Sequence, residues 1–210
     1  MLEWLSGNAQ TISALTSIGT LTIWTIYLQI FWRSYRRQGT AKLIINWGEG
    51  RKLSARCFVT NMSERAVFIQ GVVVDLQTRC GRHRVHISDA EDVRRSGRPT
   101  EWKHLTRQGP VDPGKLLDMG SFETILDYSV HVSSGEEKFV DSELGQRVQE
   151  FEITIIGVYG SEDMLIGASR RFQIERCEGK PLLHSPTVET YQITSSRERR
   201  QLGKELTKQL

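Results

Sequence analysis

The feature that most limits the fold of this chain is an uncharged run of 22 residues, Thr11 to Trp32, followed by three arginines within five positions. As a helix the run is about 33 Å long, and the hydrocarbon core of a bilayer is about 30 Å thick. A soluble helix of this length needs a charged face, and this run has none. We therefore predict a transmembrane helix over 11–32 that continues to about residue 38.

The flanking residues predict an uncleaved anchor and its orientation. A cleavable signal peptide needs a basic segment before a shorter apolar core, whereas the charged residue before this run is Glu3. Four basic residues follow the run within ten positions, and positive residues favour the cytoplasmic side. We expect an extracytoplasmic amino terminus over 1–10, a basic juxtamembrane segment over 33–42 and a cytoplasmic domain attached to the cell membrane.

Aromatic and basic residues at the two ends of the run are candidate membrane-interface anchors. Trp4 and Trp32 would be about 42 Å apart along a helix, close to the thickness of a bilayer with its headgroups. Trp and Tyr are enriched at that depth, where long basic side chains also reach the headgroups. The candidate anchors are Trp4, Trp32, Tyr35, Arg33, Arg36 and Arg37.

Polar residues within the run are a candidate helix-association face. Small residues four apart, as at Ser13 and Ser17, let a second helix approach closely, and Thr20 continues this face. Gln29 in hydrocarbon favours a hydrogen bond between helices. Two alternatives remain open at this point. The hydroxyl groups of a plain anchor can bond to their own helix carbonyls, or the polar residues can line a pore.

Short β-branched segments after Lys42 predict an all-β domain over 43–176. The first are 43–46, 54–61 and 66–76, and the segments 150–159 and 165–174 have the pattern of a hairpin. Alternation places Ala55, Cys57 and Val59 on one face, and Val67, Ile69 and Val73 on another. Similar alternation predicts a strand over 122–132.

About seven such strands predict an antiparallel β-sandwich that resembles the immunoglobulin domain in general layout. The Cys–Trp–Cys pattern of true immunoglobulin domains is missing from the chain, so the resemblance concerns the arrangement of strands alone.

The last segments predict a linker over 177–194 and an amphipathic helix over 195–210. Gly179, Pro181 and Pro186 favour irregular backbone in the linker, and Ser195 with Glu198 has capping-box spacing. Leu202, Leu206 and Leu210 follow at intervals of four. This helix is expected either to dock on the β-domain or to bind a partner.

Cysteine and histidine positions do not predict a metal site or a cofactor. Cys57, Cys80 and Cys177 are an odd, widely spaced set that fits free thiols in a reducing compartment. His83 and His86 lie near Cys80, but on a strand a spacing of three places the two rings on opposite faces. Asn61-Met62-Ser63 matches a glycosylation acceptor and is expected to be a turn.

A net charge of +3 and the absence of a known nucleic-acid module predict no nucleic-acid partner. Basic residues outnumber acidic ones over 76–110, a segment that either rests on anionic headgroups or is a solvated loop. Motifs for phosphate binding or nucleophilic catalysis are missing from the chain, so no small-molecule substrate and no enzymatic activity are predicted.

The sequence therefore predicts a single-pass protein that presents a cytoplasmic β-domain as an interaction or scaffold module, as an accessory subunit of a membrane complex. The bilayer and a protein partner are its expected contacts. One alternative is a self-assembling membrane effector whose polar-faced helix oligomerises and perturbs the bilayer. An enzyme is the remaining alternative.

Overall fold

The computed structural model describes residues 8–38, 41–48, 50–79, 81–87, 108–136, 138–159, 164–177 and 180–207 of the chain. They belong to two compact units, 1–40 and 41–210. The elements in chain order are α1 (Ala9–Gln38), β1 (Leu43–Gly48), β2 (Arg56–Asn61), β3 (Val67–Thr78), β4 (Gly81–Ile87), β5 (Gly109–Val111), β6 (Leu116–Ser121), α2 (Phe122–Ser134), α3 (Glu143–Arg147), β7 (Val148–Tyr159), β8 (Met164–Cys177), β9 (Lys180–His184), β10 (Tyr191–Ile193) and α4 (Ser196–Thr207).

Helix α1 is the first unit, and it confirms the predicted long helix. Its segment Ala9–Ser34 is long and apolar enough to cross a membrane, and none of the segment is buried by the rest of the chain. Leu21 and Trp24, for example, are 70% and 69% exposed. The helix therefore carries an apolar surface that the described part of the chain leaves uncovered.

The second unit is mostly β-structure in two antiparallel sheets. The smaller sheet has the order β1-β2-β6, and the larger has the order β10-β8-β7-β3-β4. Strand β5 pairs with β3 and strand β9 pairs with β8. Side chains from both sheets and from α2 form one core, in which Phe122, Phe151 and Phe172 are fully buried. The predicted hairpin over 150–174 is confirmed by the β7–β8 pairing.

A β-bulge in β3 changes which side chains of that strand face the core. Val67 and Ile69 point inward, but the pairing with β7 shifts register between Ile69 and Gly71. The extra residue reverses the alternation, because successive side chains on a strand point to opposite faces. Val73 was expected on the face of Val67 and Ile69, and that expectation is wrong. It packs instead in a separate cluster on the outer face.

The segment predicted as a strand over 122–132 is a helix, α2. Its buried residues are Phe122, Ile125, Leu126, Ser129 and Val130, which have helical spacing. Ser121 caps the amino-terminal end by accepting from the Thr124 amide, and Gly135 ends the helix with φ 76°. The prediction failed because Leu126, Tyr128 and Val130 also alternate, and β-branched residues raise strand propensity.

The segment 177–194 carries strands β9 and β10 in place of the predicted linker. Prolines at 181 and 186 led to the linker assignment, yet Pro181 lies in an edge strand and pairs opposite Arg176. Proline has no backbone N–H to donate to a neighbouring strand. It is tolerated on an edge strand because the amides on one side of such a strand are not needed for pairing. The predicted terminal helix is confirmed as α4, with the Arg199 amide bonded to the Ser195 carbonyl.

Side chains after β9 close the outer edge of β1. The side chain of Gln192 makes two hydrogen bonds to the backbone of Leu43. Its Oε1 accepts from the Leu43 amide at 3.1 Å, and its Nε2 donates to the Leu43 carbonyl at 2.5 Å. Thr190 Oγ1 accepts from the Ile45 amide at 2.9 Å. These contacts supply two residues of β1 with the hydrogen bonds that a neighbouring strand would otherwise make.

Arg170 crosses the interior near the same edge, and its side chain is almost fully buried. Its guanidinium lies 4.6 Å from the centre of the Trp47 ring and donates to the carbonyls of Ile45 (2.5 Å) and Thr187 (3.2 Å). Burial lowers the pKa of Arg170, although an arginine remains protonated at neutral pH. The residue thus ties β8 to β1 and to the loop before β10.

Candidate functional site

The outer face of the larger sheet holds a cluster of charged side chains beneath α4. The bulge in β3 turns Asp75 to this face, where strand pairing places it between Arg84 of β4 and Glu152 of β7. Arg171 of β8 continues the row beside Glu152. Four charged residues on four adjacent strands thus form the row Arg84, Asp75, Glu152 and Arg171.

Asp75 is buried and held by two arginines. Arg84 binds it in a bidentate manner, with Nε 2.7 Å from Oδ1 and Nη2 3.1 Å from Oδ2. Arg82 Nε donates to Oδ1 at 2.9 Å. A bidentate arginine fixes both distance and direction, so Asp75 aligns β4 against β3 and places the two guanidinium groups at the rim of the face.

Helix α4 covers the neighbouring apolar part of the same face. Leu202 is 8% exposed and packs with Val73, Ile156, Leu165 and Ile193. Gly167 permits this approach, because a Cβ atom there would lie 2.8 Å from a methyl carbon of Leu202. The helix thus docks on the sheet through Leu202. Docking on the β-domain is one of the two outcomes expected for this helix.

A second contact links α4 to β10. The Tyr191 hydroxyl donates to the Glu198 carboxylate at 2.8 Å, and Arg199 Nε donates to the Ile193 carbonyl at 3.4 Å. The hydrogen bond to Glu198, together with the negative charge of that carboxylate, raises the pKa of Tyr191. The phenol therefore remains a neutral donor at physiological pH.

A cavity of about 200 Å³ lies between the charged row and α4. Its floor is the sheet, its rim carries the two arginines of β4, and its roof is α4. Lining groups include Asp75, Arg84, Glu152, Ser169, Tyr191 and Glu198. Charges of both signs and hydroxyl groups suit hydrogen bonding to polar side chains of another protein. We call this cavity with its arginine rim the charged cleft.

The sequence did not predict the charged cleft, although part of its signal was present. The segment VVVDL places one acid in a strongly β-prone run, and RHR begins seven residues after that acid. Hairpin pairing of the two segments brings Asp75 opposite Arg84. The contributions of Glu152, Tyr191 and Glu198 depend on pairings between distant segments, which local pattern does not supply.

The predicted helix-association residues Ser13, Ser17, Thr20 and Gln29 are all exposed on α1. Threonines of the helix bond back to it: Thr16, Thr20, Thr22 and Thr25 each donate to the carbonyl four residues earlier, at 2.8–2.9 Å. These four threonine hydroxyls are therefore satisfied without a second helix, as the plain-anchor alternative expects.

Some predicted site residues lie outside the part of the chain that the structure describes. Trp32 and Arg33 are exposed at the end of α1, whereas the side chains of Tyr35, Arg36 and Arg37 are outside it, as is Trp4. The same holds for the side chains of Leu206 and Leu210, for Cys80 and for most of the basic segment 76–110. Among the described residues, no group of three or more metal-binding side chains is present.

Comparison of the chain with protein-family models, with curated proteins and with solved structures finds no match in any of the three.

The docking of α4 gives a first prediction. Leu202→Ala is expected to weaken this contact by about 2 kcal/mol, the lower end of the range for a buried leucine, because the site is at the surface. Amide exchange over residues 196–204 should then accelerate by roughly 30-fold. Gln201→Ala, an exposed change on the same helix, is the control. Unchanged exchange in Leu202→Ala would show that other contacts hold α4.

Proposed function

We propose that the protein is a single-pass membrane protein that presents its β-domain to other proteins as an interaction or scaffold module, in the role of an accessory subunit of a membrane complex. The observation that carries this proposal is α1, a helix long and apolar enough to cross a membrane that nothing in the described part of the chain covers.

Covering α1 with lipid accounts for its exposed surface. Water contact with apolar surface costs about 25 cal/mol per Å², and α1 exposes more than half of the surface of Leu15, Ile18 and Phe31. A helix satisfies its own backbone in hydrocarbon. Its threonines add side-chain bonds within the same helix, which lowers the cost of placing hydroxyl groups in lipid.

The proposed orientation places the β-domain in the cytoplasm, with the amino terminus outside. Three arginines follow the apolar run, and one acid precedes it. Positive residues are enriched on the cytoplasmic side of such helices. Neither Cys57 nor Cys177 forms a disulfide bond, which suits a reducing compartment.

The β-domain is proposed as a protein-binding module in an immunoglobulin-like layout. Two antiparallel sheets around one core support that layout. The charged cleft is the surface that we assign to a partner, because it combines exposed arginines with hydroxyl groups and an apolar neighbour. Confinement to a membrane raises the effective concentration for a partner in the same membrane.

Membrane extraction and protease accessibility test the proposal together. The full chain should stay in the membrane pellet after a carbonate wash, and protease added to intact cells should leave the β-domain uncut. Permeabilised cells are the control in which the domain must become accessible. Release by carbonate would overturn the anchor, and digestion in intact cells would overturn the orientation.

A partner for the charged cleft is tested by co-purification after gentle detergent extraction. Arg82→Ala should reduce recovery of the partner several-fold, since it removes a charge from the rim of the charged cleft while Arg84 still binds Asp75. Arg147→Ala is the control, because Arg147 is another exposed arginine and pairs with Glu143 on α3. Equal recovery with both variants would contradict the assignment of this surface.

Self-assembly through α1 is a second candidate, favoured by the exposed amide of Gln29 in the second half of the helix. Replacing Ser13, Ser17 and Gln29 together with leucine is expected to abolish crosslinked oligomers in detergent. The control replaces Thr16, Thr22 and Thr25 with valine, since those hydroxyls bond to their own helix. Oligomers that persist in the leucine variant would count against this candidate.

A further inference from the structure

One end of the β-domain is built around the point where the chain enters it. The Met62 amide donates to the Lys42 carbonyl at 2.9 Å, and the Asn61 amide donates to the Lys115 carbonyl at 3.0 Å. The Gly114 amide in turn donates to the Asn61 carbonyl at 2.8 Å. The entry residue, the turn after β2 and the turn before β6 therefore lie side by side. We call this surface, formed by Lys42, residues 61–65 and residues 112–116, the entry end.

A buried asparagine holds the entry end in a fixed shape. Asn61 is fully buried, and its Nδ2 donates to the carbonyls of Val111 (2.7 Å) and Arg65 (2.9 Å). Its Oδ1 accepts from the Ser63 amide at 2.9 Å. These bonds confirm the turn expected at this asparagine and fix the backbone on both sides of Met62. The exposed side chains of the turn are therefore presented by rigid backbone.

Exposed apolar side chains concentrate at and beside the entry end. Met62 is 56% exposed and Leu116 is 61% exposed. Phe68, 47% exposed, lies close by, because its neighbour Val67 pairs with Val111. Among the described residues of 41–210, seven large apolar side chains are exposed, and these are three of them. Such a grouping marks a contact surface better than single exposed residues do.

Charged side chains surround these apolar groups. Lys42, Arg65 and Lys115 are exposed there, as are Glu64 and Asp112. Long basic side chains beside an apolar tip suit a lipid headgroup layer, where the aliphatic stem lies in the apolar region and the charge meets phosphate. The acidic residues limit the net attraction to about one charge, worth about 1 kcal/mol at an anionic surface.

We propose that the entry end rests on the headgroups of the membrane that holds α1, with Met62 and Leu116 entering the interface. This inference rests on the proposed anchor. Only residues 39–42 separate α1 from β1 in sequence, and four residues span at most about 14 Å. Because Lys42 belongs to the entry end, the covalent connection alone keeps this residue within that distance of the end of α1.

The test uses the full chain reconstituted into vesicles of phosphatidylcholine and phosphatidylserine that contain a spin-labelled lipid. A fluorophore is attached at Met62→Cys in a chain that also carries Cys80→Ser and Cys177→Ser, while buried Cys57 is kept. The matched control carries the fluorophore at Val140→Cys. Val140 is 44% exposed and precedes α3, which leads to Val148 at the opposite end of β3.

Several-fold stronger quenching by the spin-labelled lipid at position 62 than at position 140 is expected. Adding Leu116→Gln should reduce the quenching at position 62, whereas Val132→Gln, an exposed change on α2, should not. Equal quenching at both positions, with a chain that carbonate does not release from the vesicles, would overturn the inference. The proposed anchor would be unaffected by that result.

Two further outcomes are informative. Protection of position 62 from iodide without lipid quenching would identify a protein contact there, and this would also overturn the inference. A chain that carbonate releases from the vesicles would overturn the anchor and the inference together.

Discussion

Replacing Phe172 with alanine is expected to lower the free energy of unfolding of the β-domain by about 3–5 kcal/mol, the range for a large aromatic residue in a packed core. Phe172 is fully buried at the centre of an aromatic cluster. Its ring centroid lies 4.9 Å from that of Phe122, 5.2 Å from that of Phe151 and 5.6 Å from that of Trp47. These rings come from both sheets and from α2, so the cavity would open where all three layers meet.

The loss is measured by urea denaturation of the full chain in detergent. Unfolding is detected at each urea concentration as the protease sensitivity of the β-domain. Gln173→Ala is the matched control, because Gln173 is the next residue on β8 and faces outward. Surface substitutions of this kind change stability by about 0.5 kcal/mol or less. A midpoint for Phe172→Ala close to that of the control would contradict the assignment of this residue to the core.

Arg170→Ala is expected to destabilise the β-domain by about 2–4 kcal/mol, through the combined loss of buried contact area and of hydrogen bonds to carbonyls in the interior. The variant removes the stacking on Trp47 and the bonds to Ile45 and Thr187. Arg170→Lys should restore only part of the loss, since an ammonium group has no planar fork to reach two carbonyls while it stacks on a ring.

Arg171→Ala provides the comparison for Arg170. The two residues are adjacent on β8, yet Arg171 faces outward, where its pairs with Glu150 (3.1 Å) and Glu152 (3.9 Å) are open to solvent on the arginine side and half-buried on the glutamate side. Exposed ion pairs contribute about 0–1 kcal/mol. The same denaturation experiment should therefore separate the two variants clearly. A loss at position 170 no larger than that at position 171 would show that the interior contacts of Arg170 contribute little.

Much of this fold could be predicted from local sequence pattern. The length and composition of α1 predicted it directly, because an apolar run of that length is compatible with few other structures. Strands β1 to β3 and the β7–β8 hairpin followed from β-branched residues between turn signals. His83 and His86 were predicted on opposite faces of one strand, which is confirmed by β4, in which Val85 and Ile87 are buried on the face of His83.

The errors arose where two local interpretations were both possible. Residues 122–132 fit a strand by alternation and a helix by their buried positions, and the Ser121 cap decides in favour of the helix. The strands over 180–184 and 191–193 are short and edge-paired, so propensity gave little signal for them. The bulge in β3 was also unpredicted, and it determines that Asp75 belongs to the charged cleft.

The closure of β1 by Thr190 and Gln192 has a consequence for crowded conditions. An exposed strand edge is a template onto which a neighbouring molecule can add its own strand. In β1 the amides and carbonyls of Leu43 and Ile45 are already occupied by side chains of the same molecule. Copies of this chain at high local concentration would therefore meet at that edge without a ready site for strand exchange, and the double variant Thr190→Ala/Gln192→Ala would lose that protection against aggregation.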